Sequence, residues 1–155
     1  MKETRNAIAD RLLANGDVTS QIGTYFSVPS IFSLEPVPSA VQGRYIVVRA
    51  AHVDVETLPT KTPYNPPADM IITRAREVHH DIAVFEDQTG DSSDLENLSR
   101  IIRDAFHRQS ASIAVSGYGV LIAKATGPVA TSESEEMVNQ VDGRVVTVEL
   151  TVIRA

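Results

Sequence analysis

The sequence predicts an α+β fold, a mainly antiparallel sheet flanked by two helices, and three observations carry that reading. The periodic segments run helix, strands, helix, strands, without the strict alternation that a parallel sheet requires. The segment Val141 to Arg154 sets Val146, Val148, Leu150 and Val152 against Thr147, Glu149 and Thr151, the period-two pattern of a half-buried antiparallel strand. Before it, Ser93 to His107 repeats Leu95, Leu98, Ile102, Ala105 and Phe106 at helical spacing.

Taken in chain order, Thr4 to Asn15 is the first predicted helix, with Ile8, Ala9, Leu12 and Leu13 as its apolar stripe and Asn15-Gly16 as a left-handed stop. In Asp17 to Pro38, Val18 and Ile22 fit a short helical turn, and Tyr25-Phe26 and Ile31-Phe32 fit brief extended pieces broken by Pro29. Glu35-Pro36-Val37-Pro38 is extended or turning, because proline fixes its own φ and restricts the residue before it. Gly43 to Val55 alternates as one strand, with Tyr45, Val47, Arg49, Ala51 and Val53 on one side and Ile46, Val48, Ala50, His52 and Asp54 on the other.

Residues 56–76 form an excursion with Pro59, Pro63, Pro66 and Pro67 around Lys61, Tyr64 and Asn65, followed by Met70-Ile71-Ile72. A surface loop is the plain reading. Long irregular insertions in small domains are usually functional or disordered, and a linker has little use for Tyr64 or three consecutive large apolar residues. An arm or hairpin packing on another subunit is therefore preferred, with Tyr64, Asn65, Met70, Ile71 and Ile72 as its contact residues.

Val78 to Asp87 is the next predicted strand, with Ile82 and Val84 on one face and Ala83 and Phe85 on the other. The second helix opens on a capping box, Ser93-Asp94-Leu95-Glu96, an arrangement worth about 1 kcal/mol. Its charges follow the helix dipole, and Glu96/Arg100 and Asp104/Arg108 are spaced as i,i+4 pairs. Gly117 to Thr131 is a strand with a bulge or kink expected at Gly127-Pro128, since proline cannot donate to a central ladder. The acidic link Ser132 to Glu136 leads to the closing strand. Because that strand reaches the C-terminus, residues 1–155 are expected to form a single domain ending where the polypeptide ends.

Composition narrows the functions. No stretch approaches the roughly 20 apolar residues of a membrane helix, and the polar start MKETRNAIAD lacks the apolar run of a secretory signal, so a soluble, unprocessed protein is expected. Zero cysteines exclude disulfides, thiolate metal sites and a cysteine nucleophile. A net charge of −6 argues against binding through duplex phosphates, which depends on Lys and Arg displacing counterions.

Candidate chemistry is sparse. His79-His80-Asp81, with His52 and Asp54, offers metal-ligating groups, but only alternate strand residues such as His79/Asp81 or His52/Asp54 share a face, so solvated polar residues are preferred. Glu86 to Asp91 lacks the glycine and terminal glutamate offsets of a calcium loop, and Gly117-Tyr118-Gly119 precedes a strand where a dinucleotide fingerprint precedes a helix. GxSxG and Walker motifs are absent, and adjacent Glu135-Glu136 belongs to a polar run. No catalytic residue, metal site or cofactor is assigned.

The segments IADRLLANGDV, RYIVVRAAHVDV, the proline-bearing excursion, VHHDIAVFED, SSDLENLSRIIRDAF and DGRVVTVELTVIRA together resemble, in element order and length, the tail terminator and tail completion proteins of tailed bacteriophages and gene transfer agents. The resemblance implies a non-enzymatic virion protein, made in the bacterial cytoplasm, that forms a homohexameric ring at the head-proximal end of the tail tube. Such a ring ends tube polymerisation and joins the tail to the head connector or stopper, while genome DNA passes through without specific binding. In that setting the excursion is the reach to the next subunit, and Glu133, Glu135, Glu136 and Asp142 are candidates for an acidic lumen wall, although an ordinary solvated loop is the preferred reading of these acids. Two other classes remain open: a head–tail connector, stopper, tail tube or baseplate component, and a small ligand- or metal-binding α+β module.

Overall fold

A computed structural model describes residues 1–33, 37–38, 41, 43–57, 75–86, 92–133 and 141–155, with the backbone alone at 57, 92–93, 131–133 and 141–142. Helices α1 (Lys2–Leu13), α2 (Gly16–Thr19) and α3 (Ser92–Phe106) accompany strands β1 (Thr24–Tyr25), β2 (Val28–Pro29), β3 (Ile31–Phe32), β4 (Tyr45–Val48), β5 (Val53–Thr57), β6 (Ala75–Glu86), β7 (Tyr118–Glu133) and β8 (Val141–Arg154). The α+β fold class holds. β1 and β2 form a separate hairpin, and the main sheet has the order β3-β4-β6-β8-β7 with β5 also on β6. All pairings in the main sheet are antiparallel except β3 with β4.

β6 organises this sheet. One of its edges pairs with β8 along its whole length, from Ala75↔Ile153 to Glu86↔Asp142. The other edge is divided, with β4 opposite Ile82–Phe85 and β5 opposite Ala75–His79. This corrects the expectation of one strand from Gly43 to Val55. The chain bends at residues 49–52, although Arg49 and His52 still donate backbone N–H bonds to the carbonyls of Asp81 (2.9 Å) and His79 (3.1 Å).

The helices cover one side of the sheet. Leu95, Leu98, Ile102 and Phe106 of α3 and Ile8 and Leu12 of α1 are fully buried against Ile46, Val48, Ile82, Val84, Val146, Val148, Leu150 and Val152. Full burial of each large side chain stabilises by roughly 1.5–3 kcal/mol, so this layer dominates the fold. The alternation predicted for β8 and for Ile82–Phe85 of β6 holds, and Ala83 and Phe85 join Val47 in a smaller cluster on the opposite side, under Val37, Tyr45 and Val145.

Ion pairs anchor the start of α3. Glu96 accepts from Arg144 Nε at 2.9 Å and lies 3.6 Å from Arg100, the expected i,i+4 partner. Arg44 joins buried Glu86 (2.8 Å) to Asp94 (3.3 Å). The Ser93 half of the capping box lies outside the described side chains. At the far end the helix stops at Phe106, Arg108 takes φ 59°, and Asp104 pairs with Arg103 (3.0 Å) where the sequence suggested Arg108.

Two turns differ in an instructive way. Asn15-Gly16 is no left-handed stop: Ala14 ends α1 in right-handed geometry, and the Asn15 side chain caps α2 by accepting from Asp17 N–H at 3.1 Å. α2 nevertheless supplies the helical turn read at Val18, which is buried. The bulge expected at Gly127-Pro128 is present as a register shift between Thr126 and Val129. Gly127 sits at φ +109°, and a Cβ there would lie 2.7 Å from the Val145 carbonyl, so only glycine fits.

Candidate assembly surface

The two groups of predicted contact residues leave from opposite ends of the sheet. β5 and β6 pair as far as Thr57↔Ala75, so the excursion departs and returns on an antiparallel stem beside Ile153 of β8. Tyr64, Asn65, Met70, Ile71 and Ile72 themselves lie outside the described residues. The acidic turn belongs to the other end, where Ser132 pairs with Asp142 and Glu133 with Val141 next to Glu86 of β6. Glu133 and Asp142 are described as backbone only, and Glu135 and Glu136 lie outside the described residues. Along a strand at about 3.3 Å per residue, the length of β6 separates these ends by roughly 35 Å.

The histidine and carboxylate residues divide between the two faces. On the open face, His79 Nε2 sits 2.6 Å from Glu77, His52 Nδ1 lies 3.7 Å from Asp81, and Asp81 also accepts from the Thr147 hydroxyl at 2.7 Å. The His52 and His79 rings meet edge to face at 5.9 Å. His52 and Asp54 do not share a face as the sequence suggested, because the bend before β5 turns His52 away. Asp54 looks to the helix side, where it pairs with Arg76 and, at 3.0 Å, with the Met1 amino group. Burial alone would raise the Asp54 pKa, but these two cations outweigh it and hold the carboxyl below its usual range. Among the described residues, no group of three or more His, Asp or Glu side chains is placed to share a metal ion.

His80 corrects the reading of this run as solvated polar residues. It is fully buried on the helix side, where Nδ1–H donates to the Arg49 carbonyl at 2.8 Å and Nε2 meets the Thr4 hydroxyl at 2.8 Å. The Thr4 hydroxyl also faces the Met1 carbonyl at 2.9 Å, so its single proton serves two acceptors. Burial lowers the His80 pKa, with the Met1 amino group and Arg5 adding to the effect against the Arg49 carbonyl and Asp54. The residue therefore clasps α1 to the junction of β4, β5 and β6 as a neutral ring, a structural role.

The surface contains an aromatic feature that residue patterns did not reveal. Tyr25↔Val28 closes the β1–β2 hairpin with Phe26 and Ser27 at its tip, both at positive φ (49° and 64°). Tight hairpin turns of this kind favour Asn-Gly, and a left-handed conformation costs an ordinary L-residue roughly 1–2 kcal/mol. Phe26 is 84% exposed, packing only edge to face on Tyr25 at 4.6 Å. From Tyr25 an aromatic chain runs inward through Phe32 (5.9 Å), Tyr45 (6.4 Å) and Phe85 (5.3 Å) on the open face. With no glycine or asparagine in Tyr25-Phe26-Ser27-Val28, the sequence held no turn signal.

Chemically, these arrangements pair charges and present apolar surface. Leu121 and Ile122, adjacent at a register shift, and Val129, after the second, are all more than half exposed on edge strand β7. No helix of the described residues is long and apolar enough to cross a membrane.

Comparison with known proteins places the fold. No protein-family model matches the chain, and no curated protein matches it. Among solved structures, a chain from the virion of a native gene transfer agent (GTA) particle is similar over 97% of this chain and 94% of its own length, with a TM-score of 0.64 and 14% identity. At that identity the likeness establishes a shared fold.

Proposed function

We propose that this chain is a structural virion protein that forms a ring at the head-proximal end of a tail tube, ends tube polymerisation and joins the tail to the head connector or stopper. The observation that carries the reading is the end-to-end correspondence of its fold with a chain of a GTA virion, extending over nearly the whole of both chains. The sequence resemblance to tail terminators points to the same place in the particle. The residues add support of their own: the ionisable side chains that drew attention in the sequence are occupied in ion pairs and a buried clasp, while apolar side chains stand exposed on the hairpin and the edge strand. Such a distribution suits docking more than turnover.

In this reading the chain is not an enzyme and its partners are copies of itself, the tail tube protein and the connector. Tyr64, Asn65, Met70, Ile71 and Ile72, carried on the β5–β6 stem, reach the neighbouring subunit. Glu133, Glu135, Glu136 and Asp142, at the other end of the sheet, line a lumen that lets DNA pass without strong phosphate contact. Neutralising these four acids is expected to slow DNA passage, and unchanged ejection would remove them from the lumen.

Electron microscopy of particles lacking the gene tests the main assignment. Tails of uncontrolled length, separate from heads, are expected. Tails of normal length beside unjoined heads would instead assign the protein to a connector or stopper. Co-purification gives a second readout, since a terminator binds tube ends and a stopper binds portal-side proteins.

A further inference from the structure

One apolar row crosses the open face from edge to edge. Register places Phe32 beside Val47, Val47 beside Ala83, Ala83 beside Val145, and Val145 beside Val129, so the row spans β3, β4, β6, β8 and β7 in order. Its middle is closed, with Val47 and Ala83 buried. Both ends are open. At the β3 edge Tyr25 meets Phe32 edge to face and is followed by the exposed Phe26, and at the β7 edge Val129 is 65% exposed.

We infer that this row continues from one copy of the chain into the next, the Phe26 tip of one subunit seating against Val129 and Val145 of its neighbour. Three observations select a second copy as the occupant. The projecting aromatic, on the hairpin that packs beside β3, and the exposed aliphatic end, on β7, lie at opposite edges of the main sheet, which is the arrangement of a head-to-tail contact and not of a two-fold one. One aromatic side chain covers on the order of 200 Å², far below the roughly 1,000 Å² of a stable pairwise interface. A contact that small holds best where each subunit both gives and receives it and a closing ring adds the contacts together. Finally, Phe26 and Ser27 keep left-handed backbone while the Phe26 ring, in edge contact with Tyr25, stays 84% exposed, as expected where a partner covers it.

The inference rests on the reading of the chain as a self-assembling subunit and names where subunits touch, on a surface separate from the 56–76 excursion. The absence of native cysteine allows a direct test by introduced thiols. Under oxidation at high protein concentration, the double variant Phe26→Cys/Val129→Cys should form a ladder of dimers, trimers and larger species. A mixture of the two single variants should stop at dimers. Sedimentation should show association weakened at least tenfold by Phe26→Ser and also by Val129→Ser, with Leu121→Ser on the same strand unchanged and all variants retaining the parent circular dichroism. Disulfide dimers of Phe26→Cys alone, a double variant that goes no further than the singles, or absence of association throughout would each overturn the contact. A ladder from a protein whose loss leaves tails normal would uphold the contact and reject the tail-end assignment, so the two failures are separable.

Discussion

The same strands build both faces of the main sheet, yet the faces differ sharply. On the helix side, β6 and β8 contribute Ile82, Val84, Val146, Val148, Leu150 and Val152, all fully buried under α1 and α3. On the other side, the neighbouring positions carry Glu77, His79, Asp81, Thr147 and Glu149, where Glu77 meets His79, Thr147 donates to Asp81 and Glu149 pairs with Lys124, and an apolar row crosses one end. The difference teaches that alternation along a strand fixes which residues part company, while the covering layer decides whether a face stabilises the subunit or serves a partner.

That contrast is open to disruption at graded strength. Phe106→Ala empties a fully buried site under α3 and should cost about 3–5 kcal/mol, read as a lowered urea midpoint with little change in slope. Thr4→Val removes the hydroxyl from buried His80 and should cost about 1–3 kcal/mol, with the His80 ring resonances shifting while His79 stays in place. The third effect is pH dependence. The folded His80 pKa lies below the unfolded value of about 6.5, so its share of stability is complete above that pH and is lost as pH falls below it. At most about 1.4 kcal/mol per pH unit follows from one such proton, and His80→Asn should flatten the dependence in that window. Asp54, whose pKa is lowered, acts separately, losing its contribution only as pH falls below about 4. Smallest of all, Ile122→Thr on the open side should leave the unfolding free energy within about 0.5 kcal/mol of the parent. A loss there as large as that of Phe106→Ala would mean that the two faces are equivalent and would break the comparison.

Most of the architecture was legible because local signals agreed with the final packing. The Leu95, Leu98, Ile102, Phe106 spacing gave α3 and its buried side, the β8 alternation gave the central strand, and Gly127-Pro128 marked the bulge. What escaped depended on tertiary context. Arg49 to His52 keeps a strand-like alternation, but β6 offers its edge to two partners in succession and the chain bends between them. His80 sits between His79 and Asp81 and reads as a wetted residue, whereas only the arrival of Thr4 from α1 and the Arg49 carbonyl makes its burial affordable. The parallel pairing of Ile31-Phe32 with β4 and the Phe26 tip had no residue signature, since each follows from where a short segment is brought rather than from its composition. The candidate contact residues in the excursion and acidic turn were chosen from loop length and charge, and the structure describes only the strands from which those segments spring.

The position of β8 has a consequence for how the molecule is made. It follows β7 in sequence, yet it lies between β6 and β7, and among the described residues β7 has no other partner in the main sheet. During synthesis, β7 therefore leaves the ribosome before the strand that joins it to β6, and its ladder in the main sheet cannot form until residues 141–154 follow. Completion of the sheet is a late insertion between two waiting strands, and β7 stays open to wrong pairing until β8 arrives.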